Sequence, residues 1–188
     1  MMLNLTDVLL ENRKIKKEVP IGLEQFTFRS GCFPVTEKTA ALIEAHKDEQ
    51  GFLVIRGTAK IGVRIPCDRC LDDVEVPLEL EFSQKVPAER ETGSKEADES
   101  PGDADTQEES AFEPDYYLEG YNLDVDKLLF GEALLNWPSR VLCKEDCRGL
   151  CPVCGINLNN GTCTCQEGAE VANPFSALKS IVLNDEEV

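Results

Sequence analysis

Apolar and charged residues alternate most clearly in two stretches of the first half of the chain. Phe52 to Ile65 reads FLVIRGTAKIGVRI, and Val74 to Phe82 reads VEVPLELEF. A period of two residues predicts β-strands with one buried face. One antiparallel register matches apolar with apolar residues on the buried face and basic with acidic residues on the other, so we predict a hairpin. Its pairs would be Ile65 with Val74, Val63 with Val76, Ile61 with Leu78, Arg64 with Glu75, and Lys60 with Glu79.

Shorter segments before this hairpin continue the β pattern. Val19 to Phe28 predicts a strand, and Ala40 to His46 predicts either a strand or a short helix. Asp48 to Gly51 predicts a turn between the second segment and the hairpin. His46 is the single histidine, and no acid or nucleophile pattern near it predicts a role.

The second half of the chain predicts a strand followed by a helix. Tyr117 to Leu123 has strand character, and Asp124 can cap a helix that runs from Val125 to about Asn136. Pro138 would end this helix. The leucines at positions 128, 129 and 135 should face the core, and Trp137 should pack against the cysteine-rich segment that follows.

An acidic segment separates the two halves. Ala88 to Asp115 has eleven acidic and two basic residues and almost no large apolar side chain. Such a composition buries too little surface to offset the entropy of ordering, so we predict a disordered loop. A solvated insertion is the favoured interpretation, and a docking segment for basic partners is the alternative.

These elements predict an α+β fold: mainly antiparallel β-sheet with few helices, a disordered acidic loop and a C-terminal cysteine-rich segment. We divide the chain accordingly into a β domain with a CDRC hairpin (1–87), the acidic loop (88–115), a strand and helix that complete the core (116–138), the cysteine-rich segment (139–167), and a C-terminal helix or tail (168–188).

Charge and segment composition restrict the function. The formal net charge of −17 argues against generic nucleic-acid binding, which needs basic residues, and permits a basic protein partner. The N-terminus lacks the order of a secretory signal, and no stretch approaches the roughly 20 apolar residues of a membrane span. We therefore expect a cytoplasmic protein whose thiols are reduced, since cytosolic reductants keep them so.

Six of the nine cysteines lie between positions 143 and 165, which predicts a metal site. At its centre, Cys151-Pro-Val-Cys154-Gly155 has the proline and glycine of a tight turn that aims two thiolates at one ion. A second cysteine pair would complete a four-thiolate zinc site, so we predict that segment 139–167 is a zinc-binding knuckle. The sequence leaves open whether that pair is Cys163 with Cys165 or Cys143 with Cys147.

Two cysteines lie in the loop of the predicted hairpin, in Cys67-Asp-Arg-Cys70. They are either half of a second metal site or part of a turn that fixes the hairpin. The remaining cysteine, Cys32, is expected to be buried. The sequence has no Ser/His/Asp set and no phosphate-binding loop, so we expect no enzyme.

The stretches "CDRCL", "LCKEDCRGLCPVCGINLN" and "CTC", together with "LNLTDVLL" and "NPFSALKSI", resemble the YceD family of large ribosomal RNA subunit accumulation proteins. The resemblance spans nearly the whole chain. It implies a non-enzymatic, metal-binding factor in ribosome biogenesis that supports accumulation of large-subunit (23S) ribosomal RNA. The implied partner is the pre-ribosomal large subunit, through either a basic ribosomal protein or the RNA itself.

Three alternatives follow for the contact and the cysteines. The chain could act on a basic ribosomal protein. It could bind RNA through a local surface of Arg64, Arg69, Lys144 and Arg148, despite its overall charge. A zinc site that releases its metal on oxidation would be a redox-sensitive switch.

Overall fold

The computed structural model describes residues 1–87 and 114–165. Nine strands and three helices form within these two ranges. They are β1 (Met2–Asn4), α1 (Thr6–Leu9), β2 (Ile15–Val19), β3 (Gln25–Phe28), β4 (Gly31–Lys38), β5 (Ala41–Lys47), β6 (Phe52–Pro66), β7 (Asp73–Pro87), α2 (Pro114–Tyr117), β8 (Leu118–Glu119), β9 (Asn122–Asp124) and α3 (Val125–Leu135).

The larger sheet is antiparallel, and the long strand β6 lies at its centre. One edge of β6 pairs with β5 along residues 53–58 and with β4 along residues 61–63. The other edge pairs with β7 along its whole length, without a register shift. Strand β2 pairs with β5, and β3 pairs with β4, which completes six strands. The predicted fold class, mainly antiparallel sheet with few helices, is confirmed.

The β6–β7 hairpin forms in the register that the alternation predicted. Lys60 Nζ lies 2.7 Å from Glu79 Oε1, so this predicted cross-strand pair is an ion pair. Arg64 is opposite Glu75, and both side chains are exposed. The inward residues of β6 are buried, as the pattern required: Ile55, Ala59, Ile61, Val63 and Ile65.

A smaller sheet, in the order β1-β9-β8, replaces the single strand predicted from Tyr117 to Leu123. Helix α2 ends at Tyr117, and the chain then reverses direction between β8 and β9. Gly120 has φ +58° in this two-residue turn, a conformation that glycine adopts at little cost. The prediction was wrong because the alternation of apolar and polar residues does not show that the chain reverses direction at Gly120.

Helix α3 begins where the sequence predicted. The Asp124 carboxylate accepts hydrogen bonds from the backbone N–H groups of Asp126 and Lys127, as an N-cap residue does. Leu128 and Leu129 are buried, but Leu135 is 63% exposed, so its assignment to the core was wrong. The fully buried positions of the helix end at Ala133, and the last turn lies beyond them.

Trp137 packs against phenylalanines of the β3–β4 hairpin, and the prediction that it covers the cysteine segment was wrong. Its ring centroid lies 4.6 Å from that of Phe28 and 5.1 Å from that of Phe33. The aromatic cluster belongs to one hydrophobic core that contains residues from both described ranges. The side chains buried around the cysteines form a separate, smaller cluster.

Four other predictions can be compared with the structure. The segment 19–28 is not one strand, because β2 ends at Val19 and β3 begins at Gln25. The segment 40–46 is a strand, and the turn at 48–51 forms with the Asp48 carboxylate accepting from the N–H groups of Gln50 and Phe52. Cys32 is exposed rather than buried, because its neighbour Phe33 occupies the inward position of β4.

The predicted disordered loop (88–115) and C-terminal helix or tail (168–188) lie outside the described residues, apart from positions 114 and 115, which begin α2. In the described ranges, no helix has the length and apolar character needed to span a membrane.

Candidate metal centres

Eight cysteines form two groups of four, and in each group all sulfur atoms lie within 4.8 Å of one another. We call the two groups centre 1 and centre 2. Centre 1 contains Cys67, Cys70, Cys143 and Cys147, and centre 2 contains Cys151, Cys154, Cys163 and Cys165.

Centre 1 joins the tip of the β6–β7 hairpin to the segment after α3. The Sγ atoms of Cys67 and Cys147 are 3.8 Å apart, and those of Cys70 and Cys143 are 3.5 Å apart. Cys67, Cys70 and Cys147 are buried, whereas Cys143 is exposed. Cys67 and Cys70 come from the hairpin, and Cys143 and Cys147 come from the later segment. The group of four therefore forms only when these two parts of the chain pack together.

Asp68 fixes the approach of the later segment to the hairpin tip. Its backbone N–H donates to the carbonyl oxygen of Val141 over 2.9 Å. Its carboxylate accepts from the N–H of Val141 over 2.7 Å. These reciprocal bonds bring Cys143 beside the hairpin.

Arg69 makes the corresponding link on the other side of centre 1. Its Nη1 donates to the carbonyl oxygen of Cys147 over 2.8 Å, and its own carbonyl accepts from the N–H of Leu150 over 3.0 Å. Gly149 has φ +75°, and a Cβ there would lie 3.0 Å from the Arg69 carbonyl oxygen. A side chain at position 149 would therefore be strained twice, by its conformation and by this contact.

Centre 2 is built on the turn that the sequence predicted. The N–H of Gly155 donates to the Cys151 carbonyl over 2.9 Å, and the N–H of Cys151 donates to the Ile156 carbonyl over 2.8 Å. Gly155 has the positive φ, +73°, that this turn requires. The N–H of Val153 points at Cys151 Sγ, 3.5 Å away. Cys163 Sγ lies 3.5 Å from Cys151 Sγ, so the chain returns to the turn.

The two centres are joined through asparagines of the centre 2 loop. Asn159 Nδ2 donates to Cys147 Sγ over 3.2 Å, and its Oδ1 accepts from the N–H of Arg148 over 3.0 Å. Asn157 Nδ2 donates to the Asp72 carboxylate over 2.8 Å. Residues of the centre 2 loop therefore contact a cysteine sulfur and a neighbouring acid of centre 1.

Backbone N–H groups favour one thiolate in centre 1. Burial opposes ionisation of Cys67, but N–H groups of Arg69, Cys70 and Cys143 outweigh it and lower the pKa of this thiol to about 6. At Cys70 the backbone of Asp72 lowers the pKa, but burial and the neighbouring sulfurs together raise the pKa above its usual value. Adjacent thiols cannot all ionise unless a cation compensates their charge.

Centre 2 has the same electrostatic pattern. N–H groups of Cys154 and Val153 lower the pKa of the Cys151 thiol to about 6. The neighbouring Cys154 side chain, followed by burial, raises the pKa of the Cys165 thiol to about 12. Both centres thus have the thiol chemistry of a site that could hold a metal ion.

The structure brings together all six cysteines of the predicted 143–165 site, but divides them between two centres. Cys163 and Cys165 join Cys151 and Cys154, whereas Cys143 and Cys147 join the hairpin cysteines. Of the two pairs that the sequence left open, Cys163 with Cys165 is the one grouped with the central turn. Cys67 and Cys70 form half of a second candidate site, which was one of the two interpretations of the hairpin loop. Sequence spacing could not choose between these alternatives, because the two halves of centre 1 are more than 70 residues apart.

The four residues predicted to contact RNA lie at or near centre 1. Arg69 uses its guanidinium within the protein. Lys144 and Arg148 are exposed. The Lys144 carbonyl oxygen accepts a hydrogen bond from the N–H of Cys147, and the N–H of Arg148 donates to the Asn159 side chain. Arg64 is exposed on β6, three positions before Cys67.

Comparison with known proteins connects this architecture to one family. The family described as the large ribosomal RNA subunit accumulation protein YceD matches residues 55–182. No curated protein and no solved structure matches the chain. The matched range begins within β6, includes all eight grouped cysteines and covers more than half of the sequence. The chain therefore belongs to the YceD family, whose description associates it with accumulation of large-subunit ribosomal RNA.

Proposed function

We propose that this protein is a non-catalytic ribosome-biogenesis factor that supports accumulation of large-subunit (23S) ribosomal RNA, and that each centre binds a structural zinc ion. Membership of the YceD family, over a range that contains both centres, carries the functional part of the proposal. Its place of action would be the cytoplasm, where thiols remain reduced and available to a metal.

Geometry and ligand chemistry support zinc. Four sulfurs around Zn²⁺ at about 2.3 Å in a tetrahedron lie roughly 3.8 Å from one another. The sulfur separations of 3.8 and 3.5 Å in centre 1, and of 3.5 Å in centre 2, approach that value. Four cysteine ligands leave no open position for a substrate or water, which is typical of structural rather than catalytic zinc. The absence of an open position supports the non-catalytic assignment.

A basic protein is the favoured direct partner, because the chain has a net charge of −17 and would be repelled by RNA at long range. The alternative is direct RNA contact through Arg64, Lys144 and Arg148, which are exposed around centre 1. Arg69, the fourth residue of that candidate surface, already donates to a carbonyl oxygen within the protein.

Metal analysis tests the zinc part. We expect two equivalents of zinc per purified chain, and about one fewer in Cys67→Ser, where centre 1 loses a ligand. Cys32→Ser is the matched control, because Cys32 is exposed and belongs to neither centre. Wild-type protein that folds normally without any bound metal would contradict the proposal.

The functional part is tested in cells that lack the gene. We expect the ratio of large-subunit to small-subunit ribosomal RNA to fall, and wild-type protein and Cys32→Ser to restore it. Cys67→Ser and Cys151→Ser should restore it poorly, because each disturbs one centre. An unchanged ratio in the deletion strain would refute the proposed function whatever the metal content.

A further inference from the structure

Strand β7 has one paired edge and one free edge. The N–H of Cys67 donates to the carbonyl of Asp72 over 2.8 Å, which directs the even-numbered backbone groups of β7 toward β6. At the opposite edge of β6, the N–H of Thr39 donates to the Lys60 carbonyl over 3.1 Å, in agreement with this alternation. The odd-numbered groups of β7 therefore point away from β6. No other strand of the described ranges pairs with them.

The two prolines of β7 that lie at odd-numbered positions do not interrupt its hydrogen bonds to β6. Pro77 and Pro87 are both odd-numbered, so the N–H that each lacks would have faced the free edge. Between them the backbone N–H groups of Glu79, Glu81, Ser83 and Lys85 form an uninterrupted row, about 20 Å long at 3.3 Å per residue. The described residues offer these four groups no hydrogen-bond partner.

The charge of this edge selects the kind of strand that can pair with it. The exposed side chains beside the free N–H groups include Glu75, Glu79 and Glu81 against the single base Lys85. Lys60 balances Glu79, whereas no ion pair to Glu81 forms within the described residues. A second copy of β7 would place acids against acids, which is unfavourable. A segment with lysine or arginine on the same face would complement them.

A groove of about 420 Å³ adjoins the free edge on the same outward face. Glu81 and Ser83 of β7 line it, together with Glu44 and Arg56 of the neighbouring strands. Glu44 is paired with Lys14 and Lys16, and Arg56 lies opposite Ser83 on the β6 side of the groove. Glu81 is therefore the acid on the edge strand itself that is open to an incoming cation.

We propose that the free edge of β7, from Glu79 to Lys85, binds an extended polypeptide segment rich in lysine and arginine by adding it as a strand. Main-chain hydrogen bonds would supply affinity, and the exposed glutamates of the edge strand would select basic side chains. This inference rests on the proposed function, for which it identifies the binding surface and the mode of contact with a basic protein.

Hydrogen exchange first tests whether the edge is free. In the isolated protein, amides of Glu79, Glu81, Ser83 and Lys85 should exchange rapidly, while those of Leu80 and Phe82, directed toward β6, should be protected. Protection of the four odd-numbered amides would mean that another part of the chain or a second copy covers the edge. That result would overturn the proposal.

Binding is tested with proteins extracted from purified large ribosomal subunits as the probe. Carbodiimide, which joins carboxylates to lysines, should link Glu79 or Glu81 to a lysine-rich segment of one of these proteins. A synthetic peptide of that segment should then protect the amides of residues 79–85. We expect Ser83→Pro, which removes one edge N–H without changing charge, to bind the peptide at least tenfold more weakly. Ser83→Thr keeps the N–H and should bind like wild type.

Equal binding by Ser83→Pro, or protection elsewhere, would overturn the proposal. If Ser83→Pro does not fold, Glu81→Lys keeps every backbone group and should weaken peptide binding by charge repulsion. The ribosomal RNA ratio separates the two proposals. A folded Ser83→Pro that loses the peptide but restores the ratio would refute the binding role and leave the proposed function intact. If the peptide binds but deletion of the gene leaves the ribosomal RNA ratio unchanged, the proposed function is refuted and the binding role of the edge is kept.

Discussion

Replacing Arg69 with alanine should weaken centre 1 without removing any cysteine. The change deletes the donor that holds the Cys147 carbonyl oxygen at 2.8 Å. The carbonyl of a buried cysteine then loses a charged partner, although the backbone bond from Leu150 to the Arg69 carbonyl is kept. The segment that supplies two cysteines of centre 1 would thus lose one of its attachments to the hairpin.

The expected effect can be stated from the bond that is lost. Hydrogen bonds to charged groups contribute about 1.5–3 kcal/mol, and the exposure of Arg69 places this bond at the lower end. Each 1.4 kcal/mol is about tenfold in a binding constant. If the segment must be in place to hold metal, Arg69→Ala should lower the zinc affinity of centre 1 by roughly tenfold, in keeping with other supports of metal ligands.

Competition with a chelator of known affinity measures this loss, and Arg148→Ala is the matched control. Arg148 has the same charge and is exposed beside the same centre, but it contacts Asn159 through its backbone N–H. The control should therefore retain both zinc ions. Equal zinc affinity of Arg69→Ala and wild type would refute the reasoning.

This result affects how RNA binding should be tested. A loss of RNA binding in Arg69→Ala could arise from a loosened centre 1 rather than from a lost phosphate contact. Lys144→Ala and Arg148→Ala are better probes, because within the described residues neither side chain bonds to centre 1 as the Arg69 guanidinium does. If they contact phosphates, each should weaken binding and reduce its salt dependence.

Three further changes test other parts of the structure. Burial raises the pKa of Glu132 above 4.5, and a hydrogen bond from Gln84 opposes this shift. The folded protein therefore favours the protonated carboxyl group, which stabilises the fold at pH values below the unfolded-state pKa. This stabilisation is lost as the pH rises through the folded-state pKa. Glu132→Gln should therefore melt at a higher temperature than wild type at pH 8, an advantage that shrinks toward pH 4; equal melting at both would contradict this. Gly57→Ala should destabilise the protein by about 1–3 kcal/mol in urea titrations, since its Cβ would lie 2.6 Å from a phenylalanine ring and 2.8 Å from a backbone oxygen. Asn159→Ala should lower the zinc affinity of centre 1 more than that of centre 2, because its amide donates to Cys147 Sγ.

Sequence reasoning succeeded where a pattern is local and repeated. The register of the β6–β7 hairpin could be predicted because a shift by one residue would move every apolar side chain to the wet face. The cap at Asp124 and the turn of centre 2 also depend on neighbouring residues alone. Leu135 failed because the sequence does not show how far the covering core extends along a helix.

The pairing of the cysteines stayed open in the sequence for a different reason. Six thiols are clustered in one segment, and the turn of Cys151 and Cys154 is compatible with either of the other two pairs. The deciding interactions are long-range: the Asp68 bonds to Val141 and the Arg69 bond to Cys147. Trp137 was misassigned likewise, because its phenylalanine partners lie more than 100 residues earlier.

Centre 1 has a consequence for a chain that has been cut. Its first two cysteines precede segment 88–113, and its last two follow it. A protease that cleaved anywhere in this segment would leave two polypeptides, each with half of a four-thiolate site and part of the same hydrophobic core. Metal bound at centre 1 would hold these fragments together as a non-covalent heterodimer, which denaturing electrophoresis would separate and gel filtration would not. The two fragments, produced separately, should therefore reassemble in the presence of zinc, and a chelator should favour their dissociation.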